Sequence, residues 1–168
     1  MYKIIIFFLC FNSFAQSEIV FNASADNKLL FMDDDYGNKA GTIDLNLIVS
    51  FDAEQRKIGF WSMIVSYENA QLKGGAYTRY GLATGYNFNK IIKKVNIKPY
   101  ISYGNIIRYK AVTASWESGV IFYYKIYKSI SYTLGVNWTK RTDLKNNPFR
   151  FGTQSGLSIG LNTDYKTK

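Results

Sequence analysis

Histidine is missing from all 168 residues, and cysteine occurs once, at Cys10. Without histidine the chain lacks the usual general base of serine and cysteine hydrolases and the commonest neutral metal ligand. One cysteine cannot close an internal disulfide or build a thiolate metal site. Proline is scarce, at Pro99 and Pro148 only. Beyond the N-terminus no run is long and apolar enough to cross a membrane as a helix. These gaps argue against an enzyme, a metalloprotein and a helical membrane protein. Neither a cofactor nor a metal is expected.

Aromatic residues, by contrast, make up 17% of the chain, more than a helical bundle needs. The formal charge is +9. A basic chain suggests nucleic acid first, yet Lys90, Lys93, Lys94, Lys125, Lys128, Lys140 and Lys145 fall mostly in connections rather than on one face. They read as a solvated rim or as contacts to anionic lipid headgroups; no nucleic-acid partner is expected. Residues 1–15 read as a signal peptide: Lys3, an apolar core from Ile4 to Phe11, then Ser13 and Ala15 at the small positions before a cut ahead of Gln16. Lipidation at Cys10 does not fit, because Leu9 precedes it where a small residue is needed. Removal of Lys3 with the leader leaves 9 − 1 = +8 on the mature domain, residues 16–168.

Residues 152–161 show the pattern that organises the rest. Leu157, Ile159 and Leu161 alternate with Gln154, Gly156, Ser158 and Gly160, so an extended strand here has one oily face and one small, polar face. The same alternation predicts strands over 18–24, 41–51, 57–67, 76–88, 95–103, 112–122, 129–138 and from Phe149 onward. Trp61, Tyr67, Tyr80, Tyr86, Trp116, Tyr132 and Trp138 all fall on the oily phase. About eight strands, each able to cross an apolar layer at a tilt, predict an all-β, antiparallel, up-and-down transmembrane barrel. Longer connections are expected after strands one, three, five and seven (25–40, 68–75, 105–108, 139–148), with tight turns after the others. Pro99 removes a ladder donor and predicts a bulge or local break.

A lumen of eight strands is narrow enough for side chains to fill. The inward phase is rich in Gly, Ser, Thr and Asn but also carries Asp44, Arg79, Lys98 and Glu117. Counting from the turns sets Lys98 opposite Glu117 and puts Asp44 level with Arg79, an interior ion-pair network. The stretch from Asp33 to Asn38 gathers three adjacent carboxylates and Gly37, but lacks EF-hand spacing and its terminal Glu; it reads as a solvated loop.

At this point the chain resembles the small eight-stranded outer-membrane barrels, such as the OmpA transmembrane domain and OmpX. Gln154, Gly156, Ile159 and Leu161 fit the polar-x-Gly-x-x-apolar-x-apolar pattern that the barrel-assembly machinery reads in that family. Such chains usually end on an aromatic, whereas this one continues from Tyr165 to Lys168. The resemblance implies a bacterial outer-membrane location, lipid and the assembly machinery as partners, a plugged lumen, and a structural or adhesion-like role through external loops that meet an extracellular ligand. Small barrels that act on lipids use a histidine, absent here. Two other readings are a secreted, lipocalin-like barrel binding an apolar ligand, which needs the oily face inside, and a narrow ion-conducting barrel.

Overall fold

The computed structural model describes residues 16–34, 37–54, 56–143 and 148–162. Residues 1–15, expected to be a signal peptide, and Asp35, Tyr36, Lys145 and the stretch from Tyr165 to Lys168 lie outside the described residues. Eight strands follow in order: β1 (Gln16–Asp26), β2 (Asp44–Ala53), β3 (Gly59–Leu72), β4 (Gly75–Ile92), β5 (Val95–Arg108), β6 (Ala111–Tyr127), β7 (Ile130–Lys140) and β8 (Phe149–Asn162). Each pairs antiparallel with the next, and β1 pairs with β8, closing the barrel. Closure supplies both ladders of every strand from its neighbours, leaving no open edge.

Between β1 and β2 a five-residue helix, α1 (Asn27–Phe31), begins at Asp26, whose side chain accepts a hydrogen bond from the Leu29 amide at 2.9 Å. That is an N-cap, placed where the sequence reading had only a polar connection.

The strands run longer than their apolar alternation. Most of 68–75 and all of 105–108, expected as connections, are strand: Asn69 pairs with Thr78, and Arg108 with Ala111. The β3–β4 and β5–β6 connections are therefore two-residue hairpins, Lys73–Gly74 and Tyr109–Lys110. In the second hairpin both residues hold positive φ, 50° and 63°. A hairpin turn of this twist requires that conformation and usually fills it with Asn-Gly. Without that signature, and with polar residues on both faces, these ladders look like loops in the sequence. Only the β1–β2 and β7–β8 connections are long, so the expected alternation of loop lengths does not hold. Asp52, expected in a turn, ends the inward row of β2. Pro99 pairs with Val120 on β6, while the β4–β5 ladder passes over it, stepping from Gly85–Tyr100 to Phe88–Ile97.

Four connections (after β1, β3, β5 and β7) lie at one end of the barrel, the loop end. The other three connections and the first and last strand residues lie at the opposite, terminal end.

Candidate functional site: lumen, belt and loop end

The outward rows are apolar. Phe21, Leu47, Val65, Leu82, Ile101, Leu134, Val136, Leu157, Ile159 and Leu161 are exposed. Aromatic residues bracket this belt in two tiers. Near the loop end the ladder joins Tyr67 to Tyr80, Tyr103 to Trp116 and Trp138 to Phe151. Near the terminal end it joins Trp61 to Tyr86 and Tyr124 to Tyr132. On β3, β4 and β7 the two tiers stand the same distance apart, from Trp61 to Tyr67, Tyr80 to Tyr86 and Tyr132 to Trp138, roughly 20 Å along each strand at 3.3 Å per residue. Edge-on ring contacts fix several of them: Trp61 on Tyr86 at 5.2 Å, Trp116 on Phe149 at 6.1 Å and Trp138 on Phe149 at 5.5 Å. Paired aromatic girdles around an apolar band are the outer surface of a transmembrane barrel.

Inside, polarity is inverted. Asp44, Arg79, Lys98 and Glu117 are 4%, 2%, 1% and 3% exposed, all in the lumen, but not partnered as their spacing suggested. Glu117 lies opposite Ser102, and Lys98 opposite Ile121. Arg79 takes Glu117, Nη1 to Oε2 at 3.4 Å, and donates to Ser115 and Ser102 at 3.2 and 3.0 Å. Glu117 also accepts from the Tyr100 hydroxyl at 2.5 Å and from Thr139 at 2.8 Å. Lys98 instead meets Asp52, at 3.0 Å, and donates to Ser50 at 3.1 Å. Its ammonium also lies 5.2 Å from the centre of the Tyr123 ring. Asp44 is apart from Arg79; it lies with Asp26, Glu68, Arg141 and Arg150 around a void of about 20 Å³. A charge deprived of water needs such partners, since an uncompensated one costs several kcal/mol.

Between the two ion pairs the lumen is greasy: Ile48, Ile64, Ile121 and Tyr123 pack together with Val20, Ala83 and Tyr100. The small, polar interior expected from the sequence is therefore only part of the filling. The missing members, Asp52, Glu68, Tyr100 and Tyr123, sit on the inward phase of β2, β3, β5 and β6. Asp52, Glu68 and Tyr123 fall one residue past the predicted strand ends, and Tyr100 lies within its predicted strand.

On β8, Gln154 points inward and accepts from Asn46 at 2.9 Å and Ser24 at 3.3 Å. Gly156 touches the β1 backbone so closely that a methyl group there would sit 2.6 Å from the Ser24 Cα. Ile159 and Leu161 face outward. The four residues of the expected assembly pattern thus split between the closing seam and the lipid face.

The loop end is tied together by its own side chains. Asn38 accepts from the Lys73 amide at 2.6 Å, joining the β1–β2 connection to the β3–β4 hairpin. Arg108 donates to the Gly74 carbonyl at 2.7 Å and to Asp143 at 3.2 Å, and Arg141 grips Asp143 through two 2.8 Å hydrogen bonds. Burial alone would raise the Asp143 carboxyl, but hydrogen bonds and charge from Arg141, then Arg108, hold it below its ordinary value. Asp33 and Asp34 accept from the Ala40 and Asn38 amides at 2.7 and 2.8 Å, so these carboxylates serve the loop's own backbone.

No protein-family model and no curated protein matches the chain. Among solved structures it is similar to the Yersinia pestis outer membrane protein Ail in a phospholipid nanodisc: 12% identity, TM-score 0.57, covering 87% of this chain and 99% of that one. Also found were the neisserial surface protein A, at 11% identity and TM-score 0.47 over 85% and 94% of the two chains. A crystal structure of Ail, the attachment invasion locus protein of Yersinia pestis, stands at 13%, 0.47, 87% and 99%. The nanodisc likeness and the closed eight-strand topology agree on one fold, that of the small outer-membrane β-barrels.

Proposed function

We propose that this chain is a bacterial outer-membrane barrel that conducts no ions, presents its loop end to the cell exterior, and acts there as a structural or surface-interaction element. The observation that carries the reading is the inversion of polarity across one sheet. Arg79 and Lys98 are among the most buried side chains, while Trp61, Leu82, Leu134 and Leu157 are exposed. Hydrocarbon outside and paired charge inside satisfy both faces at once. A water-soluble barrel with an apolar ligand inside requires the reverse. The ion pairs and the isoleucine layer occupy the lumen in successive tiers, which disfavours a continuous water path. The surface role is supported by the latched loop end, because ties between connections present a fixed rather than shifting surface to a partner. Lipid and the barrel-assembly machinery are the partners this reading needs.

The test is fractionation of the natural host together with planar-bilayer recording of the purified protein. Recovery in the outer-membrane fraction, gel migration that shifts on heating, cleavage by externally added protease only at loop-end sites, and no defined conductance steps are expected. Recovery as a soluble protein refutes the location. Unitary steps refute the closed lumen and favour the narrow channel.

A further inference from the structure

At the terminal end the lumen widens into a cavity of about 470 Å³, on the other side of the Lys98–Asp52 pair from the isoleucine layer. That volume lies within the range of small-molecule sites. Its charged lining is Lys94, Lys98, Lys125 and Lys128 against Glu18 and Asp52, a balance of 4 − 2 = +2. The charges are graded in depth. Lys98 and Asp52 are buried and neutralise each other on the floor, whereas Lys94, Lys125 and Lys128 are exposed at the mouth. An anion is therefore drawn to the entrance, not the floor.

The wall between mouth and floor is amide- and hydroxyl-rich, with Asn87, Asn96, Ser131 and Ser158. Asn87 is only 4% exposed, yet among the described residues its side-chain oxygen has no hydrogen-bond partner; the buried oxygen of Asn89, on the same wall, has none among them either. Buried acceptors left open cost stability unless something donates to them. Phe60 and Tyr123 add two apolar faces to the same cavity. A fitting occupant combines hydroxyl donors, apolar C–H faces and one negative group at its outer end.

We propose that this cavity binds an anionic sugar, its hydroxyls on the asparagine wall and its carboxylate or phosphate at the lysine mouth. Nothing in this proposal depends on which membrane face the cavity opens to. The test uses the purified barrel in detergent micelles and isothermal titration with four probes: glucuronate, glucose 6-phosphate, glucose and inorganic phosphate. At least one anionic sugar is expected to bind with Kd below about 1 mM, roughly tenfold tighter than both glucose and inorganic phosphate. The triple variant K94Q/K125Q/K128Q, altered only at exposed positions, should lose about tenfold for the anionic sugar, with folding checked by heat-shifted migration. Silence of both anionic sugars up to about 10 mM overturns the site. Equal binding of glucose overturns the role of the lysines, and equal binding of phosphate overturns the sugar. Should the variant not fold, salt titration of the native barrel decides: affinity falling with ionic strength is expected, and salt-independent affinity overturns the proposal.

Discussion

Glu117 is the residue on which most of the buried polar structure converges: one carboxylate takes Arg79, Tyr100 and Thr139. Its replacement by alanine strands the buried Arg79 guanidinium with two serine hydroxyls. E117A should lower stability by about 3–5 kcal/mol, the typical result of removing one member of a buried pair. Removing both charges, as in R79M/E117L, should restore most of that loss. Urea unfolding in a defined lipid or detergent, followed by tryptophan emission, measures both. If E117A unfolds with the native midpoint, the network has no energetic role. At this scale the sequence was half legible. Alternation placed Asp44, Arg79, Lys98 and Glu117 in the lumen, because side-chain direction is a local property of a strand. It could not say who meets whom, because long side chains cross the lumen to strands that are not neighbours in the sheet. Lys98 on β5 reaches Asp52 on β2, a contact set by barrel tilt and stagger rather than by ladder register.

Elements at the loop end depend on Asp143, held between two arginines with its carboxyl below the ordinary range. A depressed folded-state value stabilises the latch above the ordinary carboxylate range, and that contribution is lost as pH falls through the folded value. Acidification from pH 7 through that range and below it should therefore loosen the start of the β7–β8 connection before the barrel itself gives way. Amide exchange of Arg141, Thr142 and Asp143 by NMR, corrected for intrinsic rate, should show protection dropping; protection unchanged through the acid range contradicts the latch. In D143N the pH dependence should vanish. These loop-end elements were the least legible part of the sequence. Residues 68–75 and 105–108 carry Asn69, Gln71, Lys73 and Asn105 on rows that elsewhere face lipid, so the apolar signal fades where the strands continue past the aromatic tier. Pairing persists there because the neighbouring strand satisfies the backbone regardless of side-chain polarity. The α1 cap at Asp26 was readable in principle from Asp-Asn before an apolar pair, but one short turn leaves no periodicity to find.

The whole molecule exists only if the seam between β1 and β8 closes. Gly156 and Gly135 make the comparison within one protein. Both lie in strands, but a methyl group at Gly156 collides with the β1 backbone, whereas at Gly135 the nearest atom is 3.6 Å away, ordinary contact. G156A should sharply reduce the yield of the compact, heat-shifted form on gels, whereas G135A should refold like the native chain. Equal yields for the two would mean that the seam accommodates side chains freely. At this scale the sequence was most informative: eight oily rows, a polar phase and no breaking prolines in the apolar centre except Pro99 are repeated over the full domain, and repetition averages away local errors in strand ends.

Phe21 finds its β8 partner, Ile159, near the other end of the chain. Until that last segment has emerged, any partial assembly bears two raw margins of amide and carbonyl groups, which hydrocarbon cannot solvate. Insertion strand by strand would leave those margins bare at every stage short of the last. Both margins are satisfied together only once the head of the sheet meets its tail.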